Sequence, residues 1–245
     1  MRNYVNKLHI CGRYTTMGLK KAIRKALGYK ETNRYLNESY SQEGEDMVLY
    51  RIFENNKDGV YVDVGAHHPA LYSNTYKFYN MGWRGINIDA MPDSMKLFNV
   101  LRPGDINIEC PISDTEAILP FYIFNEPALN TLSKELADER SKKPEYHIVQ
   151  TVNLKTRTLS SILSENGFDK KSIDFLTIDA EGFDDQILRS NDWNIFRPKV
   201  VLFESERTYN EMILSELNEF LKARGYSFFA KTVKTFFYKD DRTAE

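Results

Sequence analysis

Four acidic side chains lie at the end of short apolar runs of the sequence, or directly after them. They are Asp63, Asp89, Asp179 and Glu204. Ligands of open α/β sheets bind beyond the carboxyl ends of the strands, so these side chains are expected to meet at one edge of a sheet. A single acidic residue in such a place is weak evidence, because aspartate is common in turns and at helix caps. Four together predict a ligand that carries positive charge or offers hydroxyl groups.

The loop after the first apolar run argues against a bound pyrophosphate. Residues 61–69 read Tyr-Val-Asp-Val-Gly-Ala-His-His-Pro and contain a single glycine, Gly65. A dinucleotide fingerprint needs several glycines, because they let the backbone approach the pyrophosphate closely. Asp89 lies 24 positions after Gly65, where a carboxylate can accept hydrogen bonds from both ribose hydroxyls. A nucleoside without phosphate beside an acidic rim indicates S-adenosylmethionine, whose sulfonium and ammonium groups are both cationic.

Two of the carboxylates could take a proton from a reacting group. Asp179 and Glu181 flank Ala180, and residues two apart in an extended chain point the same way. A second carboxylate nearby raises the pKa of one of the two and makes it a better base. The expected general base is Asp179 or Glu181, with His67 as the alternative. Residues 179–182 could instead be only a strand-to-helix turn in which a carboxylate caps the helix.

Oxygen ligands for a divalent metal are also present. Glu204 and Glu206 could bind Mg²⁺ or Mn²⁺ together with Asp179, since these cations prefer carboxylate oxygens. No spacing in the sequence is diagnostic of a metal site, so a divalent metal is possible but is not favoured.

A sheet must position these side chains, and the apolar runs predict one. Seven strands are expected, at residues 60–64, 85–89, 106–110, 173–178, 200–203, 226–230 and 235–238. Helix-length segments lie between most of them, at residues 73–81, 92–101, 159–163, 183–189 and 212–221. This alternation predicts an α/β fold with a doubly wound, mostly parallel seven-stranded sheet. Only residues 231–234 separate the last two strands, so the sheet should end in an antiparallel hairpin. That hairpin favours S-adenosylmethionine further, because dinucleotide dehydrogenases usually stay parallel.

Two segments stand apart from the domain expected at residues 41–240. Residues 117–155 contain two predicted strands, 118–124 and 147–154, with a long polar loop between them. Such an insert is often a lid or a substrate wall. Residues 1–40 carry nine Lys and Arg against Glu31 and Glu38, and an amphipathic helix is predicted near residues 19–27. This basic extension is expected to pack on the domain; a second copy of the chain or an acidic surface is the alternative partner.

The composition narrows the class of protein. The chain has 245 residues, of which 33 are Lys or Arg and 35 are Asp or Glu, and this near-neutral balance gives no case for a nucleic-acid partner. Its two cysteines provide no disulfide framework and no thiolate zinc site. No apolar run approaches the roughly 18 residues that span a bilayer. The N-terminus does not resemble a secretory signal, so the expected location is the cytoplasm.

Five short stretches in a fixed order carry a family resemblance. They are Ser-Gln-Glu-Gly-Glu-Asp at 41–46, Val-Asp-Val-Gly-Ala-His at 62–67, Ser-Asn-Thr-Tyr at 73–76, Gly-Trp-Arg-Gly at 82–85 leading to Asp89, and Asp-Phe-Leu-Thr-Ile-Asp-Ala-Glu-Gly at 174–182. From about Ser41 to Tyr238 the chain resembles the FkbM-type S-adenosylmethionine-dependent methyltransferases, which have the Rossmann-like class I methyltransferase fold. One departure is His68-Pro69, where members often have Asp-Gly. Members commonly methylate sugar hydroxyls in surface polysaccharide or natural-product pathways, so the resemblance implies an O-methyltransferase with a carbohydrate or nucleotide-sugar substrate.

The resemblance also implies roles for individual cofactor-binding residues. Asp63 and Gly65 would line the methionine part of the donor, and Gln42, Asn74 and Thr75 would help to hold its carboxylate or amine.

The remaining implied positions surround the nucleoside and the sulfonium. Asp89 would hold the ribose, and Ser113 and Asp114 would flank the adenine. Asp179 would lie beside the sulfonium, with Glu181 facing the acceptor. Two rival functions remain at this stage: an NAD-dependent sugar oxidoreductase or epimerase, and a nucleoside-binding scaffold without catalysis.

Overall fold

The computed structural model describes residues 36–243. Its contacts divide the chain after Glu38, and the unit that begins at Ser39 holds every element named below. Residues 36–40 have no regular structure. The amphipathic helix predicted near residues 19–27 lies outside the described residues, as does most of the predicted basic extension.

Nine strands occur in the described part of the chain, and seven of them form one sheet. The strands are β1 Val60–Val64, β2 Arg84–Asp89, β3 Ile106–Glu109, β4 Ile118–Phe124, β5 Ile148–Lys155, β6 Phe175–Ile178, β7 Val200–Glu204, β8 Tyr226–Lys231 and β9 Thr235–Asp240. The sheet has the order β3-β2-β1-β6-β7-β9-β8. Pairs from β3 to β7 are parallel, whereas β9 runs antiparallel to both β7 and β8. The predicted mostly parallel seven-stranded sheet with a terminal hairpin is confirmed.

Helices cover both faces of this sheet. They are α1 Glu45–Ile52, α2 Tyr76–Asn80, α3 Met95–Leu101, α4 Lys134–Arg140, α5 Leu159–Glu165, α6 Asp184–Arg189, α7 Tyr209–Ile213 and α8 Glu216–Lys222. Neighbouring residues of one strand enter opposite cores, as Phe175 packs with Leu49 of α1 while Leu176 packs with Ile162 of α5. Burial on both faces explains why these strands are continuous apolar runs. No helix in this part of the chain is long and apolar enough to cross a membrane.

Strands β4 and β5 form a separate antiparallel pair. The long polar loop predicted between them is wrong in detail, because it contains the 3₁₀ turn Pro127–Leu129 and helix α4. The hydroxyl oxygen of Ser133 accepts a hydrogen bond from the Leu136 N–H and caps α4. Its sequence, Lys-Glu-Leu-Ala-Asp-Glu-Arg, consists largely of good helix formers, a signal that the polarity of the segment obscured.

The single amphipathic helix predicted over residues 212–221 is also wrong, since α7 and α8 are separate helices. Ser215 is extended, with φ −81° and ψ 155°, and its hydroxyl oxygen accepts a hydrogen bond from the Asn218 N–H. A residue that caps a new helix in this way cannot continue the preceding one. Leu214, at the break, is 86 % exposed.

Two other helices begin later than predicted. Helix α3 begins at Met95 rather than Pro92, because Asp93 adopts the left-handed φ of +70° and its N–H donates to Glu109. Helix α2 begins at Tyr76 rather than Ser73, whose hydroxyl oxygen instead accepts a hydrogen bond from the Tyr76 N–H.

Candidate active site

A cleft opens at the carboxyl edge of the sheet, where the strand order reverses between β1 and β6. Its empty space, with the open mouth included, is about 1070 Å³, and we call it the cofactor cleft. Eight residues singled out by the sequence line it: Gln42, Asp63, Gly65, His67, Asn74, Asp89, Asp179 and Glu181. Five others do not line it: Thr75, Ser113, Asp114, Glu204 and Glu206. The topology thus brings together side chains that lie far apart in the sequence.

The floor of the cofactor cleft depends on Gly65. Its φ is +80°, and a Cβ atom at this position would lie 1.8 Å from the carbonyl oxygen of Asp179. The backbone after β1 therefore presses directly against the backbone after β6. Only glycine combines this close approach with a left-handed conformation at little cost.

Asp89 is half-buried at the end of β2 and is held by backbone donors. Its two carboxylate oxygens accept hydrogen bonds from the N–H groups of His67 and Met91, each at 2.8 Å. Burial raises the pKa of Asp89, while these hydrogen bonds oppose the rise. Each oxygen has a second lone pair, so the fixed carboxylate can still accept hydrogen bonds from a ligand.

Asp63 and Thr75 are hydrogen-bonded to each other, but only Asp63 lines the cleft. Asp63 lines the cleft although it is only 6 % exposed, and Thr75 is fully buried behind it. The Thr75 hydroxyl donates to the Asp63 carboxylate at 2.6 Å. Burial raises the pKa of Asp63 to about 6. Asn74, which lines the cleft, donates its side-chain N–H to the Thr177 hydroxyl at 2.9 Å.

Three carboxylates cluster at one end of the cleft. Oxygen atoms of Asp179, Glu181 and Glu204 all lie within 4.8 Å of one another. Burial, followed by the repulsion of Glu204, raises the pKa of Asp179 well above its ordinary value. Glu181 forms an ion pair with Arg140, and Lys234 lies 3.5 Å from Glu204. Oxygen donors of this kind suit Mg²⁺ or Mn²⁺, but two of the three already have a cationic partner, so the cluster by itself assigns no metal.

A second, smaller cleft is also lined by Asp179. Its empty space is about 360 Å³, and we call it the side cleft. It is lined by Gln42, Glu43, Glu45, Tyr72, Asn74, Ile178, Asp179, Glu204 and Thr235. Gln42, Tyr72, Asn74 and Asp179 also line the cofactor cleft, so the two spaces adjoin. The lining of both clefts contains neither lysine nor arginine among the described residues.

The segment from β4 to α4 forms one wall of the cofactor cleft. It contributes Phe121, Pro127, Ala128, Asn130, Thr131 and Leu132 to the lining. The Thr131 hydroxyl donates to the carbonyl oxygen of Glu181 at 2.7 Å, and Arg140 of α4 donates to the Glu181 carboxylate. Sequence reasoning marked this segment but missed Thr131 and Arg140, because contacts between distant segments leave no local pattern.

The other residues that the sequence singled out have local roles. Ser113 donates to Asp114 at 3.2 Å, whereas the preceding Ile112 lines the cleft. His67 exposes its side chain to the cleft and has a left-handed φ of +50°. The ring of His68 accepts hydrogen bonds from the N–H groups of residues 70 and 71. Glu206 pairs with Lys234 at the surface.

The lining of the cofactor cleft suits S-adenosylmethionine. Four carboxylates face it: Asp63, Asp89, Asp179 and Glu181. The described lining residues include no lysine or arginine. Such a site would repel a pyrophosphate and attract a sulfonium and an ammonium group. A single glycine after β1 also leaves little backbone to surround phosphate groups.

Comparisons with known proteins agree with this chemistry. The family described as "Methyltransferase FkbM domain" matches residues 63–228, well over half of the chain. No curated protein matches the chain significantly.

Solved methyltransferases are distant structural neighbours. Precorrin-6y C5,15-methyltransferase from Geobacter metallireducens has 11 % identity over 79 % of this chain and 84 % of its own, with a TM-score of 0.40. A putative RNA methyltransferase from Pyrococcus horikoshii has 10 % identity over 83 % and 88 %, with a TM-score of 0.42. A putative caffeoyl-CoA O-methyltransferase from Staphylococcus aureus has 11 % identity over 96 % and 99 %, also with a TM-score of 0.42. On the family match, the chain belongs to the FkbM methyltransferase family and is an S-adenosylmethionine-dependent methyltransferase.

Proposed function

We propose that the protein methylates a hydroxyl group of a sugar, either nucleotide-linked or part of a polysaccharide precursor. The observation that carries this proposal is the side cleft, which adjoins the cofactor cleft at Asp179. Its carboxylates, amides and hydroxyls can bind the hydroxyl groups of a sugar. Because its described lining has no lysine or arginine, an anionic part of the acceptor would have to remain outside it.

The cofactor cleft supports a definite placement of the donor. Asp89 would hold the ribose, because its carboxylate is already fixed by two backbone donors. Asp63 would face the methionine ammonium group, with Gln42 and Asn74 beside it. The resemblance puts Ser113 and Asp114 beside the adenine; since Ile112 lines the cleft instead, we assign the adenine contact to it.

Transfer to a sugar hydroxyl requires a base. When bound, S-adenosylmethionine supplies a methyl group on a positively charged sulfur. We assign removal of the hydroxyl proton to Asp179, which faces both clefts and whose raised pKa makes it a stronger base than an ordinary carboxylate. Glu181 is less suited because Arg140 pairs with it, and its role would be to shape the acceptor site. His67 is the alternative base, since its side chain also opens onto the cofactor cleft.

Labelled S-adenosylmethionine with a panel of neutral, amino, acidic and nucleotide-linked sugars tests the proposal. Wild-type protein should transfer label to a sugar oxygen, with turnover rising with pH as Asp179, whose pKa is raised, loses its proton. Asp179→Asn should lower turnover about 10²–10⁴-fold, while the Kd for S-adenosylhomocysteine stays within a few-fold of wild type.

Matched variants separate the candidate bases. Glu181→Gln and His67→Asn test the alternatives, and Glu206→Gln, at the surface outside both clefts, is the control. Repeating the assay with a chelator tests for a metal. Label on a nitrogen or carbon atom, or transfer only to acceptors without a sugar, would contradict the proposal. Full turnover by Asp179→Asn would remove that residue from the base role.

A further inference from the structure

Arg102 has an unusual place in the fold. It follows α3 directly, and its side chain is fully buried, which is rare for arginine. The guanidinium donates through Nε to Asp105 at 2.9 Å and through Nη2 to the Tyr61 hydroxyl at 2.8 Å. Asp105 also accepts hydrogen bonds from Tyr61 and from the Gly85 N–H, so the guanidinium is held by a buried network.

The third donor nitrogen of the guanidinium is linked by hydrogen bonds to a residue that lines the cofactor cleft, with one residue between them. Nη1 of Arg102 donates to the Thr75 hydroxyl at 2.9 Å, and Thr75 donates to Oδ2 of Asp63 at 2.6 Å. A guanidinium can only donate, so Thr75 must accept from Arg102 and use its single proton for Asp63. Oδ1 of Asp63 has no hydrogen-bond partner among the described residues, and Asp63 lines the cleft.

We propose that Arg102 is a positioning residue for cofactor binding, which acts through Thr75 to keep Asp63 ionised and oriented toward the ammonium group of the donor. The inference rests on the role proposed above for Asp63 at the methionine end of the cleft. Arg102 itself does not line the cleft, so its effect on the cofactor is indirect.

The groups around Asp63 explain why such support matters. Burial raises the pKa of Asp63, and so do the nearby carboxylates Asp89 and Asp105. Arg102 and the Thr75 hydrogen bond act in the opposite direction, and the balance is a pKa of about 6. Asp63 is therefore mostly ionised at neutral pH only while both of these contributions remain. Loss of either should raise its pKa and leave a neutral carboxyl group opposite the ammonium group.

The pH dependence of S-adenosylhomocysteine binding, measured by calorimetry between pH 5.5 and 8.5, tests the inference. This probe carries the same ammonium group. Wild-type affinity should fall as the pH drops through about 6. In Thr75→Val, an upward shift of about one pH unit would weaken binding about fivefold at pH 6, about twofold at pH 7 and hardly at all at pH 8.5. Arg102→Met should shift the midpoint further in the same direction.

Controls distinguish this role from a structural one. Thr156→Val removes another fully buried hydroxyl, whose hydrogen-bond partners among the described residues are residues 115 and 117, and should leave the midpoint unchanged. If Thr75→Val weakens binding by one factor at every pH, the inference is overturned, even if Arg102→Met does not fold. Asp63→Asn tests the underlying assignment: it should weaken binding and abolish the titration near pH 6. Unchanged binding by Asp63→Asn would instead reject the proposed role of Asp63.

Discussion

At the scale of residues, the two clefts contain residues whose backbone conformation or charge lowers the stability of the folded state. His67, Tyr72 and Glu181 have left-handed φ values of +50°, +55° and +48°, and all three line the cofactor cleft. A non-glycine residue in this conformation costs about 1–2 kcal/mol. The clustered carboxylates add electrostatic repulsion. Strain and repulsion concentrated in one place are typical of sites selected for binding or catalysis rather than for stability.

Replacing Gly65 tests the contact between the two loops. Gly65→Ala should destabilise the protein by about 2–5 kcal/mol, because it adds left-handed strain to a collision with the Asp179 backbone. Gly44→Ala is the control: its φ is similar, +85°, but an added Cβ meets nothing within 4 Å, so the cost should be about 1 kcal/mol. Urea unfolding measures both. Equal losses would show that the close approach to Asp179 is unimportant.

Asp179→Asn should stabilise the fold while it removes the proposed base. The folded-state pKa of Asp179 is raised, so its contribution to stability is present at low pH and is lost as the pH rises through that pKa. Asparagine is neutral throughout. The melting temperature of the variant should therefore exceed that of wild type by a margin that widens from pH 5 to pH 8. Asp138→Asn, at an exposed position of α4, is the control and should show no such trend. A constant margin would contradict the assigned pKa shift.

At the scale of elements, the segment from β4 to α4 forms a wall of the cofactor cleft that contacts the loop after β6. Arg140 connects α4 to the Glu181 side chain, and Thr131 connects the preceding segment to its backbone. Arg140 also donates to the carbonyl oxygen of Leu129 at 2.7 Å. Because Glu181 faces the cofactor cleft, these contacts couple the position of this wall to the shape of the site.

Removal of Arg140 should loosen this wall. Arg140→Ala leaves a half-buried carboxylate without its partner, and we expect a loss of about 1–2 kcal/mol, less than for a fully buried pair. Hydrogen exchange should become faster mainly in residues 125–146, and S-adenosylhomocysteine should bind more weakly. Lys134→Ala, which removes an exposed pair on the same helix, should change neither. Unchanged exchange in Arg140→Ala would show that other contacts hold the wall.

At the scale of the whole molecule, the sheet topology explains why the site lies where it does. The sheet extends from β1 on both sides, with β2 and then β3 on one side and β6 and then β7 on the other. Loops on the two sides diverge at this point and leave a crevice between them. Asp63 lies in β1, Asp89 ends the neighbouring β2, and Asp179 follows the neighbouring β6. Glu204 ends β7, which lies beside β6, so the acidic rim follows from the strand order.

The unit that begins at Ser39 should be sufficient for this fold and for cofactor binding. A shortened chain of residues 39–245 keeps Ser39, whose hydroxyl donates to Asp46 at 2.6 Å, together with every described strand and helix. It should unfold cooperatively and bind S-adenosylhomocysteine as the full chain does. Ligand at 100 times Kd should stabilise it by about 2.7 kcal/mol, or about 5–10 °C in Tm. Lost binding in a folded shortened chain would show that residues 1–38 contribute to the site.

The sequence by itself determined the strand pattern, the terminal hairpin and the acidic positions. These depend on local features: buried strands are apolar runs, and a four-residue connection permits only a hairpin. Helix capping by side chains set two helix boundaries that the hydrophobic periodicity did not predict. Ser215 ends the helix predicted over residues 212–221, and Ser133 begins one inside a polar segment.

Only the tertiary structure decided how these positions work together. It placed Thr75 behind Asp63 rather than in the cleft, and it put Ile112 in the lining instead of Ser113 and Asp114. It also joined Arg102 to Thr75 and Arg140 to Glu181 across 27 and 41 positions of sequence. Such contacts depend on the three-dimensional packing of distant segments, and neither composition nor periodicity records them.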